Sequence, residues 1–316
     1  MTSLAFVIPP AAPAAVAGPR GSQPAPVTAY VLNYGSNTVT PIRTATNTPG
    51  PPITVWNGPR ATAIAPNGKT AYIASVFSDT VTPIQTTTNA PGTPIPVGSV
   101  PDAIAITPNG STAYVANAGS GTVTPIQTAT DTAGTPISVG SGPAFIAITP
   151  NGSTAYVVND LSATVTPIET ATDTAGASIP VGGFPDAIAI TPNGKTVYVA
   201  SDPDTVTPIQ TATNTALSPI PVGTSPIAIA ITPNGKTAYV IDYDTVTPIR
   251  TATNTAGTPI PVGAEPTTIA ITPNGKTAYV INDTLLGTVT PIRTATNTAG
   301  RPIPVGVYPS AIAITP

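Results

Sequence analysis

The chain of 316 residues contains no cysteine and no histidine. Without cysteine there is no disulfide, no thiolate nucleophile and no thiolate metal ligand. Without histidine, the side chain that most often serves as general base or metal ligand near neutral pH is missing too. Most hydrolase, lyase and redox-metal constellations therefore cannot be assembled. Charge is scarce: 10 Lys and Arg against 13 Asp and Glu, 7% of the chain in all, for a net −3. No basic stripe exists to displace counterions from a phosphate backbone, which argues against a nucleic-acid partner. No apolar run approaches the roughly 18 residues of a transmembrane helix. Nor does any stretch repeat its apolar residues at helical spacing.

What the chain has instead is 42 Pro, 27 Gly and abundant Thr. Such a composition borders on that of disordered chains, but those have no period. This one does. A tyrosine recurs at 30, 72, 114, 156, 198, 239 and 279, at intervals of 40 to 42 residues. Around each stand four phrases, seen in one unit as DAIAITPNG (102–110), STAYVAN (111–117), GTVTPIQTATDT (121–132) and TPISVG (135–140). Each is a short β-branched or alternating run bounded by Pro, Asn or Gly, the signature of a strand. Four short strands per unit describe a β-propeller blade. The expectation is an all-β, seven-bladed propeller of four-stranded antiparallel blades over 27–316, preceded by an Ala/Pro-rich leader or signal remnant at 1–26. The strand SAIAIT (310–315) lacks its partner, as does VTAYVLN (27–33), so pairing them closes the ring.

Within a blade, PNG is a tight turn between the first two strands, and this reading also covers the two NGS triplets at 109 and 151. The outer strand carries Pro94 and Pro96 on one side, which blunts an exposed edge. Pro125 and its equivalents stand in the third strand, where a bulge or kink is expected because proline cannot donate to a ladder. The recurring tyrosines read as filling between blades, with the hydroxyl paired to backbone.

The run ITPNGKTAYVIN…GTVTPIRTATNT (271–298) resembles the YVTN β-propeller repeat, whose usual form is SPDGKRLYVTN followed by NTVSVIDTATNT. The match recurs over roughly 30–316. The resemblance implies a seven-bladed ring, commonly exported or displayed at the cell surface, that serves as a binding platform. One position departs: where the family has Asp after VI, this chain has Arg43, Gln85, Gln127, Glu169, Gln210, Arg250 and Arg293.

In a propeller, the loops joining strands two and three, and those joining one blade to the next, open on one face, the top. Ten of the 13 acids fall there, among them Asp79, Asp102, Asp160, Asp186, Asp244 and Glu265, against a single base, Arg60. Six non-repeat aromatics fall there too: Tyr34, Trp56, Phe77, Phe184, Tyr243 and Tyr308. An acidic face carrying aromatics suits a polar ligand or a protein. Tyr34, Trp56, Arg60, Phe77, Asp102, Phe184, Asp186, Tyr243, Glu265 and Tyr308 are accordingly the candidate ligand-binding residues. Against this, Asp79, Asp204 and Asp244 directly precede TVTPI, where turn capping alone accounts for an Asp. The expected function is a non-catalytic, monomeric, exported binding platform for a protein or polysaccharide, secreted or at the cell surface, with no cofactor. Two alternatives stand beside it. One is a structural envelope component; the other is a Ca²⁺-dependent propeller hydrolase or lactonase using Asp102, Asp186 and Glu265. The D-x-D pairs in SDPDTV (201–206) and IDYDTV (241–246) are the weak motif behind a Ca²⁺ site.

Overall fold

The computed structural model describes residues 28–43, 46, 48–306 and 309. Among these residues there is no helix. The chain folds into seven antiparallel sheets in sequence order, numbered here as blades 1 to 7. Blade 3 is representative, with an inner strand Pro101–Ile106, a second Thr112–Asn117, a third Thr122–Gln127, and an outer strand in two pieces, Thr132–Ala133 and Ile137–Ser138. The inner strands of neighbouring blades 2 to 7 approach one another in succession around the axis. The clasp of 310–315 against 27–33, like the leader at 1–26, lies largely or wholly outside the described residues.

The core lies between blades rather than within one. In the second strand of blade 3 all six residues are buried, because both faces of the sheet are covered. Tyr114 and Ala116 pack toward blade 4, onto Ile146, Ala155 and Ile168. Ala113 and Val115 pack the other way, with Tyr72, Val81 and Ile95 of blade 2. Alternation therefore appears as a small–large pattern and not as polar–apolar, as in any sheet covered on both faces.

The repeated tyrosine is a latch between blades. The Tyr114 hydroxyl donates to Asp173 Oδ1 of the next blade at 2.5 Å, and the same bond joins Tyr30 to Asn89, Tyr72 to Asp131, Tyr156 to Asn214, Tyr198 to Asn254 and Tyr239 to Asn297. The backbone pairing expected from sequence is present as well, from the Tyr114 hydroxyl to the Thr170 carbonyl at 3.3 Å, but the shorter bond goes to the side chain, which the sequence reading did not foresee. Each acceptor sits at positive φ, between 51° and 57°, which Asn and Asp tolerate best among residues with side chains. In blades 2 to 7 the Asn or Asp of this turn is thus selected twice, by its backbone conformation and by a tyrosine 56 to 59 residues away. Burial pushes the phenols of Tyr156, Tyr198 and Tyr239 up to about 12. Burial, reinforced by the hydrogen-bonded carboxylates of Asp131 and Asp173, takes Tyr72 and Tyr114 higher still.

The kink expected at Pro125 is absent. Register runs unbroken from Thr112↔Gln127 to Asn117↔Thr122, with Tyr114 opposite Pro125. The polar edge of Pro125 faces the outer strand: its carbonyl accepts the Gly134 amide at 2.7 Å. The proline nitrogen looks the same way, into the gap between Ala133 and Ile137, so no ladder donor is lost. The interrupted outer strand and the interior proline are two halves of one solution. The bulge appears instead in the inner strand, where register shifts between Pro101 and Ala103 and leaves Asp102 as the extra residue. The same shift places Arg60, Ala144, Asp186 and Thr267 at bulges in blades 2, 4, 5 and 7.

A second buried repeat joins strands two and three. Asn117 Nδ2 donates to the hydroxyls of Thr122 at 3.1 Å and Thr124 at 2.9 Å, and Asn159 does the same in blade 4. These asparagines leave room only for glycine in the preceding interblade loop. A Cβ on Gly140 would meet Asn159 at 2.7 Å. Gly140→Ala is expected to destabilise the protein by about 1–3 kcal/mol in a urea melt, through displacement of a buried amide; an unchanged midpoint would show that the loop yields instead.

Candidate functional site

The top face is built from the loops after the second and outer strands. Strand pairing ends one residue before these loops, so their side chains have no core to enter. Tyr34, Trp56, Phe77, Phe184 and Tyr243 are 52% to 75% exposed there. Tyr308 lies outside the described residues. Three of the five gather over blades 1 and 2. The Tyr34 and Phe77 rings are 5.8 Å apart and tilted by 58°. The Phe77 amide donates to the Asn57 carbonyl, one residue beyond Trp56, at 3.2 Å. Phe184 takes φ of +42°, a region uncommon for a bulky residue, where the equivalent positions in blades 2 and 4 are Gly58 and Gly142.

The sequence reading missed the aliphatic part of this face. Leu161, Leu285 and Leu286 are 62% to 83% exposed in the loops of blades 4 and 7, and Val100 is exposed in the loop before blade 3. A signal existed in the composition. Leucine occurs only six times in the chain, whose core uses Val, Ile and Ala, and three of the six stand in top loops.

The charged candidates sort differently. Arg60 and Asp102, bulge residues of adjacent blades, form an ion pair, with the Arg60 Nη2 also 3.4 Å from Asp102 Oδ2. Both are the extra residue of a bulge, an irregularity that commonly re-aims a side chain. Asp186 occupies the same position in blade 5. Its burial, together with the carboxylates of Asp160 and Asp202, pushes it up to about 6. Glu265 is exposed and sits at positive φ in the loop before blade 7. Asp79 has a structural role: its Oδ1 accepts the Val100 amide at 2.8 Å, as Asn37 accepts that of Gly58 at 2.9 Å. Asp202 accepts the Ser225 hydroxyl at 3.0 Å. Among the described residues, no group of three or more carboxylates is placed to hold a metal ion, so the two D-x-D pairs do not converge.

Asp242 is the outlier among the acids. It takes the place of Asn117 in blade 6 and is 1% exposed. Its Oδ2 accepts from Thr247 at 2.5 Å and Thr245 at 3.3 Å. Burial pushes its carboxyl up to about 6, an effect that these hydroxyls and the Gly223 amide moderate and that Asp244 adds to.

A cavity of about 560 Å³ opens beside Trp56 on the rim of blades 1 and 2. A second, of about 1020 Å³, lies at the opposite end, between blades 6 and 7, lined in part by Lys236, Lys276 and Arg293.

No family profile and no curated protein matches this sequence. Solved structures do match it. A chain of Kuenenia stuttgartiensis hydrazine synthase is 23% identical, with a TM-score of 0.65 over 80% of this chain and 88% of that one. A functionally unknown protein from Desulfotomaculum acetoxidans is 18% identical, with a TM-score of 0.69 over 87% and 95%. The dihydro-heme d1 dehydrogenase NirN is 13% identical, with a TM-score of 0.56 over 88% and 73%. At these identities the likeness establishes the propeller fold, without assigning the chain to the YVTN family. It also corrects the expectation of a protein that is not an enzyme. That expectation rested on the missing histidine and cysteine and on the repeat's resemblance to binding platforms, whereas two of these three propellers belong to enzymes.

Proposed function

We propose that the top face is a binding surface for a protein or polysaccharide, on a propeller exported from the cell or displayed at its surface. One observation carries the reading: the large aromatic and aliphatic side chains left exposed in the top loops, with ten acids among them and a single base already paired. Exposed apolar groups concentrated on one surface mark an interaction site, and aromatics contribute most of the contact energy at such sites. Export rests on the Ala/Pro-rich residues 1–26 and on the likeness of the repeat to YVTN proteins; antibody detection in cell fractions tests it directly.

The binding test compares the immobilised protein with a variant in which Tyr34, Phe184 and Tyr243 are alanine. Cell-surface extracts and a polysaccharide panel are passed over both. Retention by the parent and its loss in the variant is the expected result. Equal retention by both moves the site off the top face. Absence of retention by either leaves the propeller as a structural component.

A further inference from the structure

We infer that the cleft beside Trp56 is a subsite for a neutral glycan. This rests on the proposed function above and narrows it to one ligand class and one place on the face. Three loops build the site, tied together by hydrogen bonds. The Val55 amide donates to the Asn37 carbonyl at 3.0 Å, and the Gly58 amide to Asn37 Oδ1 at 2.9 Å. The Val76 amide donates to the Gly58 carbonyl at 2.9 Å. The aromatic rings thus stand on a braced base and not on a free loop.

The chemistry of the lining selects the ligand. Ser36, Asn37, Thr54, Asn57 and Thr82 supply hydroxyls and amides, Trp56 supplies an aromatic wall, and no charged side chain takes part. A sugar ring presents an apolar C–H face and a rim of hydroxyls. The first matches an exposed aromatic surface; the second matches uncharged donors and acceptors. An anionic ligand would find no cation here, because the one base on this face, Arg60, is committed to Asp102. The cavity volume of about 560 Å³ falls within the usual range for small-ligand sites.

Thr82 adds an independent sign. It is 2% exposed and lines the cavity, yet its Oγ1 has no hydrogen-bond partner. In blades 3 and 4 the matching threonine receives the amide of Asn117 or Asn159. In blade 2 that asparagine is Ser75, which is too short to reach, and the Ser75 hydroxyl is unpartnered as well. Blade 5 shares the substitution, with Ser201 and Thr207 unpartnered in the same way. Only in blade 2 does the orphaned threonine line a cavity beside an exposed tryptophan. A buried group left without a partner costs free energy, and a ligand hydroxyl or a water that supplies one recovers it.

The experiment uses the full chain and its single tryptophan, so intrinsic fluorescence reports on this site alone. Tetrasaccharides of β-1,4-glucose, α-1,4-glucose, β-1,4-mannose and β-1,4-N-acetylglucosamine are titrated, with tetragalacturonate as the anionic control. At least one neutral tetrasaccharide is expected to shift the Trp56 emission saturably, while tetragalacturonate does not. By calorimetry, Trp56→Ala is then expected to bind at least about tenfold more weakly, equal to about 1.4 kcal/mol of lost stacking. Lys195→Ala, exposed in the turn between the first two strands of blade 5 and outside the top face, should bind within about twofold of the parent. A thermal melt of each variant separates lost binding from lost folding. If Trp56→Ala retains neutral-glycan binding and the alanine variant of Tyr34, Phe184 and Tyr243 loses it, the subsite is overturned while the broader top-face reading stands. Binding of tetragalacturonate alone, or of a surface-extract protein with no neutral glycan bound, overturns the ligand class. No response to any sugar, with no top-face retention of any extract, overturns both.

Discussion

Raised through pH 10, the protein is expected to unfold in a single cooperative step, driven by its ladder of tyrosines. Tyr72, Tyr114, Tyr156, Tyr198 and Tyr239 are fully buried, and their phenols are held neutral well above the ordinary value of 10. The sign follows from proton binding. Above pH 10 the unfolded chain releases these protons and the folded chain keeps them, so stability is complete below 10 and falls as pH rises toward the folded values. Each phenol contributes about 1.4 kcal/mol per pH unit, and five together about 7. That slope rivals the whole stability of a typical domain, so unfolding should be over within about two units. Tyrosinate absorbance and loss of the β-sheet circular dichroism should rise together. Tyrosinate formed in bulk with the sheet signal intact would refute the argument. Tyr114→Phe tests one rung: at neutral pH it should cost about 1–2 kcal/mol, because Asp173 loses its donor while the ring still fills its place.

The second large effect runs the opposite way. Asp242→Asn is expected to stabilise the protein at pH 7 by about 2–3 kcal/mol. The carboxyl titrates near 6 in the fold and from 3.8 when unperturbed, so it weakens the fold as pH rises from about 4 to 6, and the deficit persists above that. A shift of about two units converts to roughly that energy. Asparagine suits the site because it is already used there: Asn282 in blade 7 donates to Thr288 at 3.0 Å and Thr290 at 2.9 Å, and accepts from Gly263 at 3.1 Å. Urea melts at pH 4 and pH 7 decide the matter. The substitution should raise stability only at the higher pH, and the parent's decline between the two should shrink without vanishing, since Asp186 titrates in the same window. A variant weakened at pH 7 would mean that the Asp242 carboxylate is stabilised by a bound cation.

The 40-to-42-residue period, the recurring tyrosine and the strand phrases were enough for seven antiparallel blades, because strand alternation and turn residues are local properties. So was the division of the top loops from the rest, which placed Tyr34, Trp56, Phe77, Phe184 and Tyr243 on one face. Partnerships across blades were beyond local pattern. Nothing near Tyr114 announces Asp173, 59 residues on, as its acceptor. The direction of the Pro125 nitrogen depended on a gap in the neighbouring strand, and the burial of Asp242 on a sheet packed over it. The orphaned hydroxyl of Thr82 depended on Ser75 being one bond too short.

The sequence by itself determined the number of blades, their strands and the loops that remain outside them, since each follows from contacts between residues close in the chain. Only the tertiary structure decided which tyrosine latches to which turn, which inner-strand residues stand at the bulges, and which acid carries the burden of burial. These rest on distances between blades, and a repeat that writes every blade alike does not specify them.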